Sequence, residues 1–546
     1  MANLAAPPSY VATLLAASNS DVLAMISYVV PLLAGLVAIH VLLHRVLWST
    51  QDARELPPVD TEIPFLGALA HIAWQGLGYW DRHAWLPTFT LRVPFFRIYV
   101  VNSTKLIPIV QRHVNTISFS PIQVDMSARF MAVSKKTFEI ISRDPMDNHG
   151  FVAGMSQTTH VGLSPGYKLD TLNQDSVQTL SGSMDKIAIK GARVNMREWI
   201  DKEITMATTE AIYGPLNPFR DHAVASIWLD YEGGLAPLLL SILPAVTARR
   251  PAKAREALVT AYEKYYAQGG HLQASAFIKH RCEFYLSRGV PFEDIARIEV
   301  GAAIGLISNT KPAAFWLLYH ICSDPTLLES CRRELMSKAV PVDEGAELTV
   351  RTIDMTCVKS SCPILSSAFK ETFRYHGISI SIRQVVEDDV LDDTYLLKKG
   401  SYLLIPAAVQ HRMKSVWGED VDIFDHARFL RNNQSRPRPN PVAFRGFGGG
   451  STLCPGRHFA TTEILAFVVL AILRFDIRPQ SGRWVMPAVG KSKPGIALHQ
   501  PDQDLEVELV PRDGREVEWR VTFSGAGEPM RVSAEDGGAA VDCHNR

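Results

Sequence analysis

The sequence predicts a mainly α-helical chain with a small β region, preceded by one transmembrane helix. Three observations support this: an apolar run near the N-terminus, long apolar-periodic segments typical of helices, and short apolar segments typical of strands. The predicted helices lie at 22–43, 292–321 and 460–473. The predicted strands lie at 96–101, 379–386, 402–405 and 505–510. We expect an N-terminal anchor in residues 1–50, one large domain over 51–512 and a flexible tail over 513–546.

The apolar run at 22–43 is 22 residues long, and a helix that crosses a bilayer needs about 20. His44, Arg45 and Arg54 follow it, whereas only Asp21 is charged just before it. Because positive residues stay on the cytosolic side, most of the chain is expected in the cytosol. A cleaved signal peptide is the alternative, but this run is too long and lacks a clear small-residue cleavage site.

The composition excludes some classes of protein. Lysine and arginine number 56 and so do the acidic residues, so the net charge of zero gives no support for nucleic-acid binding. The seven cysteines have no regular spacing, which fits a reducing compartment.

Cys454 stands in the segment FGGGSTLCPG at 447–456. No second cysteine lies two residues away, so this is not a zinc or iron–sulfur knuckle. A helix is predicted to start on Cys454 with Pro455 at its first position, and a thiolate there gains from the helix dipole. The glycines permit a tight turn that brings backbone N–H groups near the sulfur. These features are those of a thiolate ligand to haem iron; a buried structural cysteine is the alternative.

This segment resembles the haem-binding signature of the cytochrome P-450 family, Phe-Gly-x-Gly-x-Arg-x-Cys-x-Gly. The matching residues are Phe447, Gly448, Gly450, Cys454 and Gly456. The segment departs at Thr452, where most members carry Arg or His to hold a haem propionate. The resemblance covers about residues 56–512. It implies the P-450 fold, a catalytic domain over 51–512, and haem b with Cys454 as the axial thiolate ligand of its iron.

Glu371 and Arg374 stand 83 and 80 residues before Cys454, where the family places its K helix. They are three positions apart and share a helix face. The segment 424–429 resembles the family's Pro-Glu-Arg-Phe, so Arg428 is expected to complete a buried, structural Glu–Arg–Arg cluster. A solvated ion pair is the alternative.

Arg383 follows the K helix, where the family's first sheet passes the haem. The resemblance makes it a propionate partner, and its planar fork suits a carboxylate. An ordinary strand-edge arginine is the alternative. The family's Trp-x-x-x-Arg of the C helix is missing between 162 and 185, where Lys168 or the nearby Lys186 could replace it.

The segment 305–312 matches the centre of the family's I helix, which usually carries an acid followed by Thr to relay protons to dioxygen. Ser308 and Asn309 stand at those two positions. Pro312 lacks an N–H and its ring clashes with the Ser308 carbonyl, so the helix should open or kink there. The resemblance implies that Asn309 and Ser308, with local waters, deliver protons; a plain kink is the alternative. The pattern Asn-Thr-x-Pro-Ala-x-Phe-Trp at 309–316 is similar to that of the branch that holds the sterol hydroxylases and prostacyclin synthase. The sterol hydroxylases are monooxygenases, whereas prostacyclin synthase rearranges a peroxide, so the pattern leaves the reaction open.

Family position implies that apolar residues line the substrate pocket. They are Ala302, Ala303, Leu306, Ile378 and Ile380, with a turn at 493–496. Such a pocket suits a lipid-like or terpenoid ligand. The segment 447–465 is similar to members from filamentous fungi that work in secondary metabolism, which implies a polycyclic terpenoid, steroid-like or polyketide-derived substrate.

The leading hypothesis is a single-pass monooxygenase of the endoplasmic reticulum membrane with a cytosolic catalytic domain. No Gly-x-Gly-x-x-Gly signature is present, so NADPH electrons are expected from a separate NADPH–cytochrome P-450 reductase, with cytochrome b5 as a further donor. A basic surface patch is expected to dock the reductase; a solvated loop is the alternative. Its residues are Arg431, Arg436, Arg438, Arg445 and Arg457. The alternatives are a haem-thiolate isomerase or lyase that needs neither dioxygen nor a reductase, and a non-catalytic haem-binding protein.

Overall fold

Helices form most of the chain, and short strands form four small sheets among the described residues. The computed structural model describes residues 10–59, 61–76, 78–240, 244–340, 350–430, 439–492, 496–512, 517–524, 530–533 and 536. This architecture confirms the predicted fold class.

The helices lie as follows: α1 (Tyr10–Ser49), α2 (Gly67–Gln75), α3 (Gly78–Arg82), α4 (Ile107–Arg112), α5 (Ser120–Met126), α6 (Lys135–Ser142), α7 (Phe151–Leu163), α8 (Tyr167–Ala188), α9 (Met196–Tyr213), α10 (His222–Glu232), α11 (Leu235–Leu240), α12 (Pro244–Thr247), α13 (Arg249–Ala267), α14 (Gly270–Gln273), α15 (Ala276–Ser287), α16 (Phe292–Ile307), α17 (Thr310–Ser323), α18 (Pro325–Lys338), α19 (Met355–Ser361), α20 (Pro363–His376), α21 (Ala407–His411), α22 (Lys414–Trp417) and α23 (Arg457–Arg474).

The strands lie as follows: β1 (Thr88–Val93), β2 (Phe96–Val101), β3 (Ile117–Ser118), β4 (Ala192–Asn195), β5 (Val350–Asp354), β6 (Ile380–Val385), β7 (Asp389–Leu391), β8 (Tyr395–Leu397), β9 (Tyr402–Pro406), β10 (Phe475–Pro479), β11 (Glu506–Pro511) and β12 (Glu518–Thr522). The four predicted strands correspond to β2, β6, β9 and β11 and are confirmed.

The largest sheet has five strands in the order β1-β2-β9-β6-β3. Strand β9 pairs parallel with β2 and antiparallel with β6, and Arg383 of β6 stands opposite Leu403. Because side chains alternate along a strand, Ser381 and Arg383 lie on the same face of β6. This sheet therefore holds Arg383 inside the fold rather than at a strand edge.

Helix α23, which follows the cysteine segment, runs through the main core. All residues from 461 to 474 are buried, and the helix packs in one apolar cluster with residues of α8, α9, α17 and α20. Full burial of one Leu, Ile, Val or Phe side chain stabilises the fold by about 1.5–3 kcal/mol. The segment before α23 is thus attached to the main apolar core.

Helix α1 contains one segment, Ser27–Ser49, that is long and apolar enough to cross a membrane. It has 23 residues and a mean hydropathy of 2.0, and most of its side chains are exposed, whereas Leu47 near its end is buried. Helix α1 extends beyond both ends of the predicted span at 22–43. It is consistent with a membrane anchor.

The long predicted helix at 292–321 is divided at the expected place. Helix α16 ends at Ile307 and α17 begins at Thr310, so Ser308 and Asn309 lie in a break. Pro312 cannot donate a hydrogen bond to the Ser308 carbonyl, which explains why the helix opens there. The predicted opening is confirmed.

The described residues beyond 512 correct the expectation of a flexible tail. Strand β12 pairs parallel with β5, and Trp519, Met530 and Val532 are buried in the main core. The alternation of residues 518–522 places Trp519 and Val521 on one face, which suits a strand. Strand β12 pairs with the edge of β5, and no local sequence pattern near residue 520 predicts this pairing.

Candidate active site

The cysteine loop, residues 447–456, is closed by a backbone hydrogen bond from Cys454 N–H to the Phe447 carbonyl at 2.9 Å. Gly448 and Gly450 have φ angles of +82° and +58°, a region that residues with a side chain rarely adopt. A Cβ on Gly450 would lie 2.7 Å from Cγ of Gln111. Both glycines are therefore required for this shape of the loop.

Cys454 precedes the helix rather than starting it. Helix α23 begins at Arg457, and residues 454–456 form a turn in which Arg457 N–H donates to the Cys454 carbonyl at 3.4 Å. Gly456 has φ −84° and ψ 5°, outside the helical region, which corrects the predicted start on Cys454 and Pro455. Burial raises the pKa of the Cys454 thiol, whereas the Gly456 N–H and the Arg457 charge lower it.

Arg383 is fully buried beside the cysteine loop. Its Nη2 donates to Oγ1 of Thr452 at 3.0 Å and to the Gly449 carbonyl at 3.3 Å. Within the described chain, Nε and Nη1 have no hydrogen-bond partner, and burial lowers the pKa of Arg383 to about 10. A buried cation normally requires an anionic partner. A haem propionate would supply the missing acceptors, so these residues fit the haem that the sequence implies.

Arg445 is also buried, which corrects its expected place in a basic surface patch. Its backbone N–H donates to Nε2 of His411 at 2.9 Å and its Nη2 to Oγ of Ser381 at 3.2 Å. Because Ser381 and Arg383 share a face of β6, the Arg445 side chain reaches the face of the strand that carries Arg383. Sequence reasoning missed this because the segment before a cysteine loop looks solvated.

The rest of the predicted patch is also changed. Arg457 is bound to Asp536, so its charge is neutralised. Arg431, Arg436 and Arg438 lie outside the described residues.

The two lysines considered for a C-helix role lie in different surroundings. Lys168 contacts His280, with Nζ and Nε2 3.2 Å apart, and Lys186 is exposed.

The structure brings Glu371, Arg374 and Arg428 together in the interior. Arg374 donates from Nε and Nη2 to the two Glu371 oxygens at 2.7 and 2.6 Å, and Arg428 Nε donates to Oε1 at 3.1 Å. The free ends of the arginines bind backbone carbonyls, Arg374 at His411 and Arg428 at Trp417. The cluster thus joins α20 to the segments that precede the cysteine loop.

Ser308 and Asn309, the two polar residues in the break between α16 and α17, differ in their hydrogen bonding. The Oγ atom of Ser308 is buried and has no hydrogen-bond partner among the described residues. Asn309 Oδ1 accepts a hydrogen bond from Ala497 N–H at 2.8 Å. The carbonyl of Ala497 in turn accepts from Ile378 N–H at 2.8 Å. Asn309 therefore joins the helix break to two segments predicted to line the pocket.

The predicted substrate residues fall into separate apolar groups. Ala303 and Leu306 of α16 belong to or border one cluster, with Ala302 half-buried on the same helix. Ile378 packs with Ala408 and Ile496. Ile380 borders a third cluster. Residues 493–495 of the predicted turn lie outside the described residues.

Glu463 is a buried acid of α23 that sequence reasoning missed. Its Oε1 accepts hydrogen bonds from Oγ of Ser176 at 3.0 Å and from Oγ1 of Thr208 at 2.7 Å. Burial raises the pKa of Glu463 to about 8, so it is mostly neutral at pH 7. The available signal was a lone acid inside the long apolar run 459–473.

Comparisons with known proteins agree with this site. A family model described as Cytochrome P-450 matches residues 303–507. The chain is 35% identical over 508 residues to cytochrome P-450 monooxygenase nodJ of Hypoxylon pulicicidum, covering 90% of this chain and 97% of that protein. The chain belongs to the cytochrome P-450 family. As in that family, the cofactor is a haem whose iron has a cysteine thiolate as its axial ligand.

Two further relatives place this P-450 more closely. It is 28% identical over 512 residues to a cytochrome P-450 monooxygenase of Gibberella zeae, covering 90% of this chain and 96% of that protein. It is 26% identical over 283 residues to cholesterol 7-alpha-monooxygenase of Cricetulus griseus, covering 50% of this chain and 56% of that protein. The predicted resemblance to the sterol hydroxylases is thereby confirmed. The P-450 is an oxidoreductase that works with a redox partner and a small-molecule substrate.

Proposed function

We propose that Cys454 is the axial ligand of the haem and that Arg383 binds a haem propionate. The observation that carries this proposal is the buried Arg383 guanidinium. It contacts Thr452 of the cysteine loop, and two of its nitrogens have no partner among the described residues. Phe447, Gly448, Gly450 and Gly456 shape the loop around the sulfur.

The reaction is the monooxygenation of an apolar substrate. A thiolate-ligated haem supplies dioxygen activation and insertion of one oxygen atom into a C–H or C=C bond. Ser308 holds a proton at its buried Oγ, which has no partner in the part of the chain that the structure describes, and passes it on through local water. Asn309 holds Ala497, and with it the pocket wall, through its amide oxygen. In this assignment Asn309 positions the site and Ser308 takes the place of the usual acid.

The substrate is a polycyclic terpenoid, steroid-like or polyketide-derived molecule of secondary metabolism. The apolar character of Ala302, Ala303, Leu306, Ile378 and Ile380 supports this class, since such a ligand is bound by burial of its surface. The relative named for cholesterol 7-alpha-monooxygenation supports a ring system of sterol size.

The P-450 works at the endoplasmic reticulum membrane, with residues 1–50 as a single-pass anchor and the catalytic domain, residues 51–512, in the cytosol. Helix α1 supports the anchor because its apolar segment is long enough to cross a bilayer and leaves most of its side chains exposed. Electrons come from NADPH through a separate cytochrome P-450 reductase, and cytochrome b5 is a further donor.

Three measurements test the proposal. Cys454→Ala should abolish the thiolate-type absorption band of the reduced carbon monoxide complex, and an unchanged band would exclude Cys454 as the ligand. With reductase, NADPH and labelled dioxygen, one labelled oxygen atom should enter the product. Candidate polycyclic precursors are supplied to a host with and without the enzyme, and the metabolites that differ identify the substrate. No label in the product would exclude the monooxygenase reaction.

A second candidate function is an isomerase or lyase acting on a peroxide or alcohol. It is favoured by one observation: the helix break carries Ser308 and Asn309 in place of an acid–alcohol pair, and the Asn309 oxygen is engaged by Ala497. Turnover without NADPH or reductase would support this reaction, whereas strict dependence on reductase would remove it.

A further inference from the structure

The chain beyond residue 512 returns to the cysteine loop. We use the name C-terminal strap for its described residues, 517–524, 530–533 and 536. The strap begins as β12, which adds to β5 at the outside of the fold, and its last described residue contacts Arg457, three residues after Cys454.

The strap is anchored along its length. Five residue pairs join β12 to β5, and Thr356 Oγ1 donates to the Ser524 carbonyl at 2.7 Å. Met530 and Val532 are buried in the same apolar cluster as α23. Apolar burial and strand pairing therefore hold the strap in one position before it reaches the loop.

The contact at the end of the strap is a buried ion pair. Arg457 donates from Nε and Nη2 to Oδ1 of Asp536 at 3.1 and 2.9 Å. The other Asp536 oxygen accepts the N–H groups of Val532 and Ser533, both at 3.0 Å. The Asp536 and Arg457 side chains are only 9% and 18% exposed. Such charge-assisted bonds, shielded from water, are among the strong interactions of a protein.

Arg457 also contacts the backbone of the cysteine. Its Nη1 donates to the Cys454 carbonyl at 3.3 Å, so one guanidinium joins Asp536 to the backbone of Cys454. The planar fork binds the carboxylate with two of its nitrogens while the third reaches the loop.

We propose that Asp536 is a positioning residue that acts through Arg457 to hold the backbone of the cysteine loop and so keep Cys454 in place as the haem ligand. This inference rests on the proposed function, because it requires Cys454 to be the haem ligand. It assigns a role in the haem site to a segment at the far end of the chain, outside the matched family region of 303–507.

The test uses the full-length holoenzyme and the spectrum of its reduced carbon monoxide complex. Asp536→Asn keeps the shape but removes the charge, and should speed conversion of the thiolate-type band to the thiol-type band by about tenfold. Asp536→Glu keeps a carboxylate and should retain much of the wild-type behaviour. Glu518→Gln is the matched control, because Glu518 lies on the same strap in an exposed pair with Arg520.

The possible outcomes separate the two proposals. If Cys454→Ala keeps the thiolate-type band, the proposed ligand is wrong. If Cys454→Ala loses the band but Asp536→Asn converts no faster than Glu518→Gln, only the strap inference is overturned. A lower unfolding temperature for Asp536→Asn with an unchanged conversion rate also overturns it, because the strap would then be merely structural. If Asp536→Asn does not accumulate as holoenzyme, Arg457→Lys, which keeps the charge but loses the fork, carries the same test.

Discussion

Arg383 Nη2 lies 3.0 Å from the hydroxyl oxygen of Thr452. The contact joins the sheet to the loop position where family members usually carry a second cation. The Thr452 hydroxyl also donates to the Gly449 carbonyl at 3.0 Å, so it supports both Arg383 and the turn of the loop. In the proposed site Arg383 therefore carries more of the charge that faces the haem propionates, since Thr452 supplies none.

Arg383→Leu should weaken haem binding because it removes the cation that faces the proposed propionate. A charge-assisted hydrogen bond is worth about 1.5–3 kcal/mol, so haem should transfer to apomyoglobin at least about tenfold faster. Thr452→Val removes one acceptor only and should have a smaller effect in the same direction. Arg520→Leu, at an exposed pair, is the control; equal transfer rates for Arg383→Leu and this control would contradict the assignment.

Glu371→Gln should destabilise the fold strongly, because it leaves the buried cations of Arg374 and Arg428 without their common counter-charge. Loss of one partner in a buried ion pair costs about 3–5 kcal/mol. Urea unfolding followed by circular dichroism measures the loss. Glu518→Gln, which breaks an exposed pair, should leave the unfolding midpoint unchanged; similar midpoints for both variants would show that the buried cluster contributes little.

Asn309→Leu should increase the local mobility of Ala497, because it removes the acceptor of the Ala497 N–H. The free energy of unfolding should fall by about 1 kcal/mol, and the amide proton of Ala497 should exchange faster. Asn309→Asp retains an oxygen acceptor and should preserve the protection. Unchanged exchange in Asn309→Leu would rule out the proposed positioning role of Asn309.

Glu463 should make the stability depend on pH. Burial raises the pKa of Glu463 from 4.5 to about 8 in the folded protein, so the folded state holds an extra proton between these values. The stabilisation from Glu463 is fully present below pH 4.5 and is lost as the pH rises through 8, at no more than about 1.4 kcal/mol per pH unit. Glu463→Gln should reduce the loss in urea midpoint between pH 6 and pH 8; an identical loss in both proteins would show that Glu463 does not titrate in this range.

Local patterns were enough to predict several elements. The strand at 96–101 coincides with β2, and Pro312 predicted the helix break at Ser308 and Asn309 because a missing N–H acts on its own turn. The cysteine loop was also readable, since its glycines and cysteine lie within ten residues. The start of α23 was missed by three residues because Pro455 fits a turn as well as a first helical position.

The sequence by itself determined the fold class, the family and the cysteine on which the site is built, because each depends on residue types at short spacing. Only the tertiary structure decided which charges lie inside. Arg445 was expected in a surface patch but lies inside the fold, where it donates to Ser381. The charge of Arg457 is neutralised by Asp536, which lies 79 residues later in the chain. Such pairings arise when apolar segments pack and bring distant polar groups into low dielectric, where each charge must find a partner.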